Sequence, residues 1–251
     1  MMTKILALTT NLFRKKSNSV HAIVGLQLLA LVITLINMLW KHTFDRIDPI
    51  GLTLSYGFLA GLILFILLAR RTEHVWTSSS ARLLPITDTK LYLANLGSTL
   101  LSFIYFLVLE LIIGGICSIG ALSDIHASFQ QILPYTATSL TTILALTLYG
   151  WAFISLVHLL GVTISTWLPE MRSKFIYFVL YVVVGILLLK ILSTMGNLLG
   201  KFVTPLFTGQ YNATINPGLL SFSGILFLIT IVFSLLNIYL LKNWVETKQN
   251  A

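Results

Sequence analysis

The segment VHAIVGLQLLALVITLINMLW, Val20–Trp40, decides how this chain folds. It carries no Lys, Arg, Asp or Glu, and it has the roughly 20 apolar residues that one helical crossing of a bilayer needs. It is too long for the apolar core of a cleavable signal and is read as a retained anchor. Five further runs repeat its character: Ile50–Ala69, Leu91–Ile119, Ile132–Trp167, Phe175–Leu192 and Leu219–Leu241. The third and fourth runs exceed what one crossing needs and must tilt, kink or project. Pro134 suits the first turn of the fourth helix, where its missing N–H costs little.

The whole-chain composition agrees. Of 251 residues 57% are hydrophobic and only 10% charged, where a soluble domain carries about 25% charge. Mean hydropathy is +0.92. The expectation is an all-α polytopic membrane protein with six transmembrane helices, forming a single transmembrane domain over 1–251. The connections are too short to hold a catalytic domain.

Charge sets the orientation. With six crossings the two termini share a side. That side holds Lys4, Arg14, Lys15, Lys16, Arg70, Arg71, Arg82, Lys90, Arg172, Lys174, Lys242 and Lys248, and the other holds only Lys41, Arg46, Lys190 and Lys201. The positive-inside rule makes both termini cytoplasmic, in a cell membrane. Trp40, Trp167 and Trp244 stand near run ends, as interfacial aromatic anchors do. The net charge of +8 is topological and favours an anionic inner leaflet; no nucleic-acid partner is expected. Ile5, Leu8, Leu12 and Phe13 fall at helical spacing beside Arg14, Lys15 and Lys16, which predicts an interfacial helix over 1–19 on the inner surface. Cys117 is the one cysteine, so an intrachain disulfide or a cysteine metal cluster is impossible, and no metal site is expected.

Two inner loops stand out. Residues 70–90 begin Arg70-Arg71-Thr72-Glu73-His74-Val75-Trp76 and close on Leu83-Leu84-Pro85-Ile86-Thr87-Asp88-Thr89-Lys90. Val75, Trp76, Leu83 and Leu84 give this loop an apolar side that must meet lipid or protein, and Thr87 or Asp88 is placed to cap the next helix. The second inner loop echoes it: Leu84-Pro85 precedes Lys90 and Tyr92, as Leu168-Pro169 precedes Lys174 and Tyr177. Each proline ends an element and each lysine marks re-entry into the bilayer.

The stretch Arg82-Leu83-Leu84-Pro85-Ile86-Thr87, followed by Lys90-Leu91-Tyr92-Leu93-Ala94, resembles the segment after the second span of bacterial ABC transporter membrane subunits of the ABC-2 type. The architecture is similar over nearly the whole chain; the specific match covers about thirteen residues. The resemblance implies a permease that forms an export path, with a cytoplasmic coupling helix that docks on a separate ATPase. It puts Trp76, Arg82, Leu83, Leu84, Pro85, Pro169 and Arg172 at that contact and ATP-Mg on the partner. It implies pairing as a homodimer or with a related permease. It also implies an outer loop, 193–220 here, folded back into the membrane surface. The chain has no Gly-x-x-x-x-Gly-Lys-[Ser/Thr] segment to cradle phosphates, so no cofactor is expected in it. Peptides, bacteriocins, drugs and lipids are all open as cargo.

Three polar residues inside the runs are candidates for the path or its gate. Glu110 is the only acidic residue deep in a span, and an intramembrane carboxylate is costly. Its readings are a neutral, hydrogen-bonded side chain, a pair with Lys190, or handling of substrate or protons. His158 reads more readily as packing than as a relay. Gly57 and Gly61, one turn apart, permit close helix contact. Thr136, Thr138, Ser139, Thr141, Thr142 and Thr147 either face a path or bond back to their own helix. A secondary transporter or substrate-capture subunit is the alternative. An intramembrane protease is disfavoured, because neither His-Glu-x-x-His nor Gly-x-Ser-x-Gly occurs and no catalytic residue is assigned.

Overall fold

The computed structural model describes residues 2–77, 86–120, 129–167 and 217–243, and within 179–201 residues 179, 181–187, 189–190, 193–194, 197 and 200–201. Among the described residues the regular structure is helical throughout. Five long helices follow one another: α1 Met2–Trp40, α2 Asp48–Thr77, α3 Asp88–Ser118, α4 Phe129–Trp167 and α5 Pro217–Asn243. All five are long and apolar enough to cross a membrane. The predicted run Phe175–Leu192 is described only in part; residues 181–187 there are helical.

The helices outrun the apolar segments. α1 passes without a break from the amphipathic start into the first span, so the sequence boundary at Val20 is not a structural one. Arg70–Thr77, read as loop, continues α2. No Pro or Gly interrupts that stretch, and the long Arg stems carry their charge outward without ending the helix. α4 begins at Phe129, so Pro134 lies inside it rather than at its very start. At the sixth residue it is past the first turn that the sequence predicts for it: it removes one backbone bond and sets its ring against the carbonyl four residues back. Thr87 holds the N-cap position of α3 with extended backbone, but its side chain makes no capping bond; Asp88 supplies negative charge in the first turn instead. The predicted loop 193–220 is helical at 193–194, 197 and 200–201 and again from Pro217.

The end of α1 shows how a tight return is made. The Thr43 N–H donates to the Met38 carbonyl at 3.1 Å and the His42 N–H to that of Leu39 at 3.2 Å. His42 takes φ 54°, the left-handed conformation that this C-terminal motif requires. Two turns later Pro49 sits in the first turn of α2.

The chain divides into two compact units, Met1–Val75 with Pro85–His126, and Trp76–Leu84 with Ala127–Ala251. In the first unit α1 and α3 run parallel: Lys16 meets Asn95, His21 meets Tyr105, and Gln27 meets Glu110. α2 runs against both, since Thr72 meets Thr99 while Gly57, earlier in α2, faces Glu110. In the second unit α4 and α5 run parallel, with Thr142 to Ser223 at 2.9 Å and the Asn237 amide donating to the Ala152 carbonyl at 3.0 Å. Tyr149, Phe153 and Phe233 pack between them with ring centroids about 6 Å apart. The segment 179–201 returns antiparallel: Tyr181 packs on Gly161, and Gly200 lies beside Ile225.

Polar side chains share the interior with an apolar core, and much apolar surface faces outward. Large apolar side chains point outward, with Leu54 70%, Phe58 68% and Leu26 66% exposed. Lys16, Gln27, Asn95, Ser98, Thr99 and Ser102 are buried. Lipid accounts for the first set, and interhelical hydrogen bonding for the second.

Candidate functional site

The polar interior of the first unit falls into two layers. The lower layer is built on Lys16, 2% exposed. Its Nζ donates to the Asn95 carbonyl at 3.0 Å, Asn95 Oδ1 at 2.7 Å, Ser98 Oγ at 2.8 Å and Thr99 Oγ1 at 2.6 Å. Four neutral oxygens thus receive three ammonium hydrogens. The hydroxyls keep their lone pairs free for the cation by donating elsewhere: Ser98 and Thr99 both donate to the Asn95 carbonyl, at 2.7 and 2.9 Å. Asn95 Nδ2 donates to the Thr72 carbonyl at 3.0 Å, and Thr72 and Thr99 share a hydroxyl bond at 2.9 Å. The Arg71 guanidinium adds a bond to the Lys15 carbonyl. Lys16 thus bonds α1 to α3, and Asn95 and Thr99 carry the cluster on to Thr72 of α2, at the basic end of all three helices.

Lys16 does not share the inner surface with Arg14 and Lys15, contrary to what its place in the sequence predicts. Arg14 and Lys15 are exposed; Lys16 is turned inward. The signal was present but divided over three helices. Asn95, Ser98 and Thr99 share a face at spacings of three and four residues, and α1 had to be laid parallel to that face before the cluster existed.

The upper layer holds Glu110. Gln27 Nε2 donates to Glu110 Oε2 at 3.0 Å. Gly57 of α2 makes the room: a Cβ there would stand 2.5 Å from Glu110 Oε2 and 3.6 Å from Gln27 Nε2. One turn on, a Cβ at Gly61 would stand 3.5 Å from the Phe106 ring. The two glycines thus admit α3 side chains to α2. Eleven residues, about 17 Å of helix, separate Gln27 from Lys16, and about 20 Å separate it from Trp40. Glu110 therefore lies near the middle of the apolar length. Between the layers His21 and Tyr105 share a hydrogen bond at 2.9 Å, and Phe13 packs edge-on against Tyr105.

The other sequence candidates fall in the second unit or outside the described residues. His158 stacks on Tyr181, with centroids 6.2 Å apart and planes at 6°. Lys190 is helical and exposed, and its carbonyl accepts the Thr194 hydroxyl at 3.2 Å. Glu110 and Lys190 belong to different units; the partner of Glu110 within its own is Gln27. The α4 hydroxyls bond back to their helix: Thr138 to the Pro134 carbonyl at 2.7 Å, Thr141 to Ala137 at 2.8 Å and Thr147 to Ile143 at 2.9 Å. Thr142 in addition reaches Ser223. Trp76 lies in the last turn of α2, described in its backbone only; its side chain, and Arg82, Leu83, Leu84, Pro85, Pro169 and Arg172, lie outside the described residues. Among the described residues no three His, Cys, Asp or Glu side chains gather as a metal site.

An all-helical chain with five apolar helices of spanning length has the make-up of a multi-pass membrane protein. No protein-family model, curated protein or solved structure matches the chain.

Proposed function

We propose that this chain is the membrane subunit of an ATP-driven exporter of the ABC-2 type. In this reading it crosses the plasma membrane six times with both termini in the cytoplasm. It pairs with a second copy or a related permease to enclose a path. A separate ABC ATPase docks at the inner loops through Trp76, Arg82, Leu83, Leu84, Pro85, Pro169 and Arg172, and holds the ATP-Mg. The amphipathic start of α1 meets the inner leaflet through Arg14 and Lys15, and the segment from 193 to 220 serves the outer surface.

The observation that carries the reading is the Lys16 clamp. It fastens α1, α2 and α3 together at the end from which the loop between α2 and α3 leaves. A pull on that loop is then delivered to three helices as one body, the behaviour required of a permease driven from below by a closing ATPase. A loop hung on one loosely packed helix would dissipate the same pull.

The test is co-purification. Combining Arg82→Glu with Trp76→Ala and Leu83→Ala removes the charge and the apolar side of the proposed handle. The triple variant is expected to insert normally and to lose the ATPase on affinity purification; undiminished retention would remove the loop from the contact.

The Glu110–Gln27 layer favours a second reading, a gradient-driven secondary transporter. The two separate cleanly: transport that survives ATP depletion but collapses with the proton gradient belongs to the second.

A further inference from the structure

The upper layer contains an imbalance that points to a ligand. Gln27 is 5% exposed. Its Oε1 is buried and has no hydrogen-bond partner, and the same is true of Glu110 Oε1. The remaining polar atoms of the two groups face each other, Gln27 Nε2 on Glu110 Oε2 at 3.0 Å. Each group therefore presents one satisfied atom and one orphaned acceptor, on side chains that already meet. Leaving a buried acceptor unpaired is costly, and burying an uncompensated carboxylate costs more.

We propose that Gln27 and Glu110 form a proton-binding site, in which Glu110 is a carboxylic acid closed into a ring with the Gln27 amide. The amide N–H donates to the carboxyl Oε2, and the carboxyl O–H on Oε1 donates to the amide Oε1. One proton satisfies both orphaned oxygens. It adds to the carboxylate and breaks no other bond. Turning the amide over does not remove the need for it, because an oxygen–oxygen contact at 3.0 Å would then itself demand the proton.

The surroundings agree. Gly57 is the α2 residue against the carboxyl and brings no charge. Along α1 and α3 the nearest titratable side chains are His21 and Tyr105, which bond each other toward the basic end, and Cys117, two turns the other way. Lys16 is about 17 Å off and fully engaged by its four oxygens. No cation described in this unit stands beside Glu110 to hold it ionised. The inference concerns bonding between two helices of one chain and holds whichever energy source drives transport.

Infrared difference spectroscopy on purified protein in lipid at neutral pH tests it. Subtracting the Glu110→Gln spectrum from wild type is expected to leave one positive carboxylic-acid C=O band. That band should move to higher frequency in Gln27→Leu, where the ring is opened. Loss of carboxylate stretching bands alone would overturn the proposal. A second readout guards against misfolding. Glu110→Gln can rebuild the ring as an amide pair, so its melting temperature should match wild type, while Gln27→Leu should melt lower. A Glu110→Gln protein less stable than Gln27→Leu would also overturn it.

Discussion

Replacing Lys16 by Met is expected to destabilise the first helical unit by about 3 kcal/mol, although it removes a charge from an apolar setting. Methionine preserves most of the stem, so the packing against α3 changes little. The loss is in bonding. Asn95 Oδ1 loses its donor inside a buried site, while Asn95, Ser98 and Thr99 remain polar and enclosed. Had the whole cluster been exchanged for hydrocarbon, the cost could vanish; removing one member leaves the others without their partner. Lys16→Arg is expected to fail as well, since a planar guanidinium does not fit a nest shaped around a compact ammonium. Lys15, one residue away and exposed, supplies the control: Lys15→Met should stay within about 0.5 kcal/mol of wild type. Thermal unfolding in detergent reads both, with a drop on the order of 5–10 °C for Lys16→Met. Equal melting of the two variants would mean that the ammonium does not reside among those oxygens.

Gly161→Leu is expected to cost about 3 kcal/mol, and it examines the second unit as Lys16 examines the first. Gly161 is buried in α4, and a Cβ there would overlap the edge of the Tyr181 ring. Three ring atoms obstruct it, and the ring is stacked on His158, so it cannot yield as the tip of a flexible side chain would. Either α4 and the returning segment separate or the stack breaks. Truncating the obstacle should relieve the strain: Tyr181→Ala in the same chain is expected to recover much of the loss, a coupling that a double-mutant cycle isolates. A leucine tolerated at 161 without Tyr181→Ala would deny that the segment from 179 returns along α4.

The helices were legible because apolar length is a one-dimensional signal. Trp40, Trp167 and the start at Leu91 fall within three residues of helix ends. Charge is a poorer guide to where a helix stops. Arg70 and Arg71 do not stop α2, because a charged head can leave a helix sideways on its own stem. The interior layers were less legible, for a different reason. Glu110 announced itself by sitting alone in an apolar run, but its partner Gln27 looked like an ordinary polar residue of the first span. Which helix faces turn together depends on the parallel pairing of α1 with α3, and hydropathy carries no information about pairing. Gly57 could be seen as a small residue, but not as the space for a carboxyl group. Lys16 was hidden between Arg14, Lys15 and the first span, where three consecutive basic residues read as one solvated patch.

The proposal assigns the chain a path and a mechanical linkage, and assigns the energy source to a companion. The most direct test is ATP hydrolysis in the material that co-purifies with the tagged chain under mild conditions from its own membranes. The account predicts magnesium-dependent hydrolysis in the eluate, carried by a second polypeptide and lost with it when the Arg82, Trp76 and Leu83 substitutions are introduced. Homogeneous, folded chain with neither a second polypeptide nor hydrolysis, yet competent for transport after reconstitution alone, would contradict it.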